Sequence, residues 1–185
     1  AHRLGGNSLA DTQVFGKIAG ENAAKFAKEQ PFHKVDYSFY DRVETQILSL
    51  FKRTDGPSPA ALHEKLRNTM WDYVGIFRTE QGLKKALREL ETIKKELSQM
   101  SLASSDTYYN TEWIRAMELI NMVLMSEMIA RSALIREESR GAHTRLDFPQ
   151  TDNKNWLVIL NTWKRNGEMY IEKSSLANVE IVPNI

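Results

Sequence analysis

The feature that most constrains the fold of this chain is the recurrence of apolar residues every three or four positions over long segments. The clearest such segment has its apolar positions at Leu83, Leu87, Leu90, Ile93 and Leu97. This spacing places the apolar side chains along one side of an α-helix. The mixed Lys, Arg and Glu residues between them are typical of a solvated helix face and not of a binding site.

Three more segments have helical spacing, and turn residues separate them. Residues 36–53 form one, and they end at a turn in which Ser58-Pro59 predicts the start of the next helix. The longest helix is predicted from Asn110 to about Arg136, and we expect its methionines to fill the core. The fold class is therefore predicted as mainly α, with an antiparallel bundle of three to four helices at its centre.

The pattern changes after Gly141. Residues 156–160 and 169–171 are rich in β-branched, aromatic and other apolar residues, which favours two strands. Asn166-Gly167 lies between them, and this dipeptide is a strong signal for a tight hairpin turn. We therefore predict a C-terminal β-hairpin after the bundle.

A further helix is predicted at the start of the chain, from Leu9 onward, with Asn7 and Ser8 able to cap it. Gly16 and Gly20 lie four positions apart inside it. Glycine in a helix interior costs about 1 kcal/mol relative to alanine. The pair therefore predicts that something packs close to this face, either a neighbouring sheet or a bound cofactor.

Composition excludes several classes of function. The 25 basic and 24 acidic residues give a net charge of +1, so no nucleic-acid partner is expected. There is no cysteine, and the four histidines are scattered without metal-ligand spacing, so no metal site is expected. The most apolar stretch, residues 117–135, is interrupted by charged residues, so no membrane-spanning helix is expected.

Three sequence motifs occur in order along the chain. They are AHRLGGNSL at residues 1–9 with VFG and AG shortly after it, MWDYVGIFR at 70–78, and ESRGAHTRLDFP at 138–149. With these motifs the chain resembles the succinate dehydrogenase/fumarate reductase flavoprotein family over nearly its whole length. One departure is His2, where the family pattern has Asn. This difference is expected to change local hydrogen bonding more than the reaction class.

The resemblance implies ligand contacts for the first motif. Arg3 is expected to bind a carboxylate of the dicarboxylate substrate, because a planar guanidinium forms paired, charge-assisted hydrogen bonds. Ser8 and Leu9 are expected to contact the FAD ring at N1 and O2. Because these two residues open a helix, its N-terminus favours the negative charge that reduced flavin carries there. The resemblance assigns no catalytic residue and no metal ligand within this chain.

The resemblance also implies how the chain is divided. Residues 1–30 are expected to be the C-terminal end of an FAD-binding domain, residues 31–140 a helical bundle, and residues 141–185 a C-terminal loop and β-hairpin. In the family, the main part of the FAD-binding domain, the histidine that often carries the flavin and a proton-donating arginine precede this segment. We therefore expect the chain alone to be inactive, to bind no FAD, and to self-associate through its first helix.

The parent protein is expected to interconvert succinate and fumarate and to pass electrons through an iron–sulfur subunit. Its expected location is cytoplasmic, peripheral on the inner face of the cell membrane through partner subunits. L-aspartate oxidase shares the fold, but that branch typically has Ala-Ser in place of Gly5-Gly6. Adenylylsulfate reductase is a more distant alternative, and a non-catalytic docking module for an iron–sulfur subunit is an alternative of another class.

The last motif permits two interpretations. Arg140, His143 and Arg145 either help to seat the helical domain near the active site or the iron–sulfur partner, or belong to a structural turn. We favour the structural role, in which Glu138, Arg140 and Asp147 form ion pairs and His143 is a hydrogen-bonded structural residue.

Overall fold

The structure is a computed structural model that describes residues 7–32, 34 and 36–176. It divides into two compact units, one that ends at Thr45 and one that begins at Gln46. The second unit contains the helical bundle and the β-hairpin. The combination of helices and one antiparallel hairpin confirms the predicted fold class.

The first unit contains helix α1, Asn7–Glu29, and most of helix α2, Tyr37–Leu48. Helix α1 begins at Asn7, two residues earlier than predicted, so Ser8 lies inside its first turn. The Asp36 carboxylate accepts the backbone N–H of Ser38 at 3.0 Å, which satisfies one of the unpaired donors at the start of α2. Helix α2 is shorter than the predicted 36–53, because residues 49–52 form a 3₁₀ turn.

Three helices form the bundle of the second unit: α3, Pro59–Val74; α4, Glu80–Gln99; and α5, Thr111–Ile135. The predicted N-caps are confirmed, since side chains of the residues before each helix accept a backbone N–H of its first turn; they are Ser58, Thr79 and Asn110.

Consecutive helices of the bundle run antiparallel. The ammonium of Lys65, near the start of α3, lies 2.8 Å from the carboxylate of Glu96, near the end of α4. Lys94, also near the end of α4, pairs with Glu127 of α5. Helices α3 and α5 are therefore parallel to each other, and their C-termini lie at the same end of the bundle.

The core lies between α3, α4 and α5. The predicted apolar face of α4 is confirmed, since Leu83, Leu90 and Ile93 are at most 1% exposed. Helix α5 differs from expectation, because Met122 and Met125 are 40% and 52% exposed and do not fill the core.

Two short strands join the ends of α3 and α5. Strand β1, Phe77–Arg78, pairs in parallel with β2, Thr144–Arg145, a contact that the sequence did not predict. After them in the chain, helix α6, Asn153–Trp156, leads into the hairpin.

The hairpin consists of β3, Val158–Arg165, and β4, Glu168–Ser175. Its strands are longer than predicted, and Trp156 belongs to α6 instead of the first strand. The two-residue turn has positive φ at Asn166 and Gly167, 52° and 85°, as the Asn-Gly signal predicted. In the part of the chain that the structure describes, no helix is long and apolar enough to cross a membrane.

Candidate functional site

The predicted flavin contacts lie at the N-terminus of α1. Ser8 and Leu9 are in its first turn, and the Leu9 side chain is 75% exposed. The first turn of a helix leaves backbone N–H groups without intrahelical acceptors, and no acidic side chain occupies this one. The surface is therefore accessible and chemically suited to one electron-rich edge of a ligand such as flavin. Arg3, the predicted substrate contact, lies outside the described residues.

The glycine pair of α1 is open on the side where close packing was predicted. Within the described residues, no atom outside the helix's own backbone lies within 4 Å of a Cβ built on Gly16 or Gly20. An element that packs against this face is therefore not provided by the described part of this chain.

A second candidate is the charged cluster at the end of the bundle where α3 and α5 terminate. Its centre is Glu138, whose side chain is completely buried. The carboxylate accepts Arg136 Nη1 at 2.6 Å, Arg140 Nε and Nη2 at 2.8 and 2.9 Å, and the backbone N–H of Asp152 at 2.9 Å. Burial alone would raise the pKa of Glu138, but the bonds from Arg140, the Asp152 amide and Arg136 hold it below its usual value.

Arg145 closes the C-terminus of α5. Its side chain is 1% exposed, and its Nη1 donates to the carbonyl oxygens of Ala133, Leu134 and Arg136 at 2.9 to 3.0 Å. Nε and Nη2 form a paired bond to the Asp147 carboxylate at 2.8 and 2.9 Å. A cation placed on the last carbonyls of a helix is stabilised by the helix dipole.

Asp147 joins this cluster to α4. Besides Arg145, its carboxylate accepts the backbone N–H of Glu80 at 2.8 Å, at the first residue of α4. The paired bond from Arg145 lowers the pKa of Asp147 to about 2. The carboxylate is therefore ionised throughout the neutral range.

His143 links the ends of the two parallel helices. Its Nε2 lies 3.1 Å from the carbonyl oxygen of Arg136, which only accepts, so Nε2 carries the proton. Nδ1 then accepts Nη1 of Arg78 at 2.7 Å. Arg78 Nε in turn donates to the carbonyls of Val74 and Gly75 at the end of α3. Burial, together with the nearby arginines, lowers the pKa of His143, so the ring is neutral.

The cluster is a structural joint. The carboxylates of Glu138 and Asp147 are occupied by arginine and backbone donors, and both nitrogens of His143 are engaged. The ion pairs predicted for this motif are present, and so is the hydrogen-bonded histidine. The sequence analysis missed the contributions of Arg78 and Arg136, because no spacing rule connects residue 78 with residue 143.

A groove of about 880 Å³ lies between α4, α5 and the tip of the hairpin. Its buried acid, Glu127, is 5% exposed and pairs with Lys94 and Arg131. These hydrogen bonds lower its pKa although burial opposes that change, so the carboxylate is a paired anion and not a poised proton acceptor. No group of metal-ligating side chains occurs among the described residues.

Comparison with known proteins agrees with this arrangement. The model of the fumarate reductase flavoprotein C-terminal family matches residues 63–184, which include the bundle, the charged cluster and the hairpin. The chain is 42% identical over 152 residues to an uncharacterized FAD-dependent oxidoreductase of Methanocaldococcus jannaschii, and 40% identical to the fumarate reductase (CoM/CoB) of Methanothermobacter marburgensis. Both alignments cover 82% of this chain and 27% of the relative.

An L-aspartate oxidase of Acinetobacter baylyi is 36% identical, with 83% of this chain and 26% of that protein covered. The chain thus spans about a quarter of the length of these relatives. A chain of Escherichia coli quinol fumarate reductase has the same fold, with a TM-score of 0.91 at 28% identity, over 99% of this chain and 32% of that one. The protein therefore belongs to the fumarate reductase flavoprotein C-terminal family and corresponds to the C-terminal part of a flavoprotein subunit of the succinate dehydrogenase/fumarate reductase type.

Proposed function

We propose that the full-length protein interconverts succinate and fumarate, with FAD as the hydride acceptor or donor, and that this chain supplies one substrate contact and one wall of the flavin site. The observation that carries the proposal is the first motif, AHRLGGNSL, joined to a domain of the fumarate reductase flavoprotein family. The exposed first turn of α1, which has no acidic side chain, supports it.

Three residues of the chain have roles in this proposal. Arg3 binds and orients one carboxylate of the dicarboxylate through its planar fork. Ser8 and Leu9 contact the flavin ring at N1 and O2, where the dipole of α1 favours negative charge. Gly5 and Gly6 let the backbone pass close to both ligands, since they have no side chain.

The test uses the full-length flavoprotein with Arg3→Lys and, as a matched control, Arg88→Lys on the exposed face of α4. Lysine keeps the charge at position 3 but loses the paired geometry. We expect succinate oxidation to fall by on the order of a hundredfold, which corresponds to about 3 kcal/mol of transition-state stabilisation, while flavin content stays normal. The control should change neither. Normal turnover in Arg3→Lys would show that Arg3 does not anchor the substrate.

L-aspartate oxidase is the competing activity, because a protein of that name is 36% identical to the chain. Gly5-Gly6 favours the dicarboxylate reaction, since the aspartate oxidase branch typically has Ala-Ser there. The two are separated by supplying the full-length protein with succinate or L-aspartate as electron donor and following flavin bleaching without oxygen. Bleaching by L-aspartate alone would assign the competing activity.

We also propose that the parent protein binds an iron–sulfur subunit and through it lies at the cytoplasmic face of the cell membrane. The support is the fold shared with quinol fumarate reductase. A non-catalytic docking role for this chain would be shown by capture of the iron–sulfur subunit with the 185-residue chain alone. Capture that requires the N-terminal portion would contradict a docking role for the chain itself.

A further inference from the structure

Helix α5 carries more apolar surface than its own unit covers. Only five of its 25 residues are charged, and residues 119–126 contain no charge. A helix that is apolar on all sides is normally buried on all sides. In this unit α5 packs against α3 and α4 on one side only, through residues such as Leu119, Val123 and Ala130, which are at most 1% exposed.

The uncovered surface is a continuous stripe, which we call the outer face of α5: Ile114, Glu118, Met122, Met125 and Ile129. At 3.6 residues per turn these positions fall within an arc of about 80°. The four apolar members are 40 to 52% exposed. The face is separate from the groove beneath the hairpin, which none of these residues lines. Glu118 is the one charged group within the stripe, and it is exposed as well.

We propose that the outer face of α5 is an interdomain surface, covered in the full-length protein by the flavin-carrying part of the same polypeptide. This rests on the proposed function. The curated relatives are more than three times as long as the stretch that this chain spans, so a chain of that length brings a large additional body to the domain. A covalently linked body has a high effective concentration and covers an apolar face before a free partner does.

The chemistry of the covering surface follows from the stripe. It must be apolar along about four helical turns and must present a basic side chain or a backbone N–H group opposite Glu118, because an unpaired buried carboxylate is costly. Flexible methionine side chains at Met122 and Met125 adapt to an irregular surface.

The test is cysteine accessibility, which this sequence allows because it contains no cysteine. Met125→Cys and Ile129→Cys are made in the 185-residue chain and in the full-length flavoprotein, without any partner subunit. Lys95→Cys, on the exposed side of α4, is the matched control. N-ethylmaleimide labelling is followed by peptide mass mapping at low protein concentration. We expect labelling at 125 and 129 to be at least about tenfold slower in the full-length protein than in the chain, and labelling at 95 to be unchanged.

Three outcomes would overturn the proposal. Equal labelling in both proteins would show that the face is exposed. Protection in the short chain that grows with its concentration would assign the face to a second copy. Protection of the full-length protein only after an iron–sulfur subunit is added would assign the face to that subunit. None of these readouts depends on turnover, so failure of the proposed activity is detected separately by the succinate and L-aspartate assay.

Discussion

At the scale of single residues, Arg145 has the largest number of structural contacts in the charged cluster. One guanidinium holds three carbonyls at the end of α5 and the Asp147 carboxylate, with almost no exposure to water. Only a planar group with five donors satisfies all these acceptors at once. The motif is therefore explained by helix termination, without any catalytic role.

Arg145→Lys should lower the free energy of unfolding by about 3 kcal/mol, because it leaves a carboxylate and several carbonyls buried without donors. Arg88→Lys on the exposed face of α4 is the control and should change it by less than about 0.5 kcal/mol. Urea unfolding followed by circular dichroism measures both. A change at Arg145 no larger than the control would show that water replaces the lost donors.

His143 gives the joint a dependence on pH. Its pKa in the folded chain is lowered by burial, so the unfolded chain binds the proton more tightly and the free energy of unfolding falls as the pH drops below about 6.5. Glu138 and Asp147 have lowered pKa values and stay ionised between about pH 7.5 and 5, so they do not mask the effect.

We expect His143→Gln to flatten the pH dependence over this range, because the amide donates to Arg136 and accepts from Arg78 without titrating. His63→Gln at an exposed position is the control and should leave the slope unchanged. Unfolding midpoints at several pH values test this. An unchanged slope in His143→Gln would mean that other groups cause the acid sensitivity.

At the scale of elements, the turn before α3 is held by a close backbone approach. Gly56 donates its N–H to Ser101 Oγ at 3.1 Å, and a Cβ at this position would lie 1.7 Å from the carbonyl oxygen of Gln99. Backbone cannot move aside as a flexible side chain does. The Gly residue therefore allows the start of α3 to lie against the end of α4.

Gly56→Ala should destabilise the bundle by about 2 kcal/mol through this collision. Gly16→Ala in α1 is the matched control, since nothing in the described residues lies within 4 Å of its Cβ. The control should stabilise the isolated chain by up to about 1 kcal/mol, because alanine is the better helix former. Thermal unfolding of the two variants should therefore shift in opposite directions, and a shift in the same direction would contradict the close-approach argument.

At the scale of the whole molecule, the described residues offer FAD only the start of one helix. In residues 7–32, 34 and 36–176 the only parallel strands are the two-residue β1 and β2, so this part contains no dinucleotide-binding sheet. We predict that the isolated chain is colourless after dialysis against buffer. A stoichiometric flavin absorbance that survives dialysis would contradict this.

The isolated chain should also self-associate through α1. The helix exposes Leu9, Val14, Phe15 and Ile18, which are 47 to 75% exposed, and burying such surface is favourable by about 25 cal/mol per Å². Replacing Phe15 and Ile18 by Ser should shift the chain towards monomer in light scattering. Replacing Lys17 and Glu21, an exposed ion pair on the same helix, by Ser is the control and should not do so. A monomer at high concentration with α1 intact would refute the prediction.

The amino-acid sequence by itself determined the helices of the bundle, their caps and the hairpin turn. Apolar spacing, Ser58, Thr79 and Asn110 at helix starts, and Asn166-Gly167 act over a few residues, so they are readable along the chain. The boundaries of α2 and β3 were less accurate, because helix and strand ends depend on what packs beside them. The motifs also indicated the family, which the match over residues 63–184 establishes.

Only the tertiary structure decided which residues meet across long separations. The bond between Arg78 and His143, the parallel pairing of β1 with β2, and the side of α5 that remains exposed join or leave apart residues distant in sequence. Periodicity cannot assign such contacts, since α5 is apolar on all sides and its pattern favours no single face. The packing of α3 and α4 makes that choice, because two neighbouring helices can cover only part of a third.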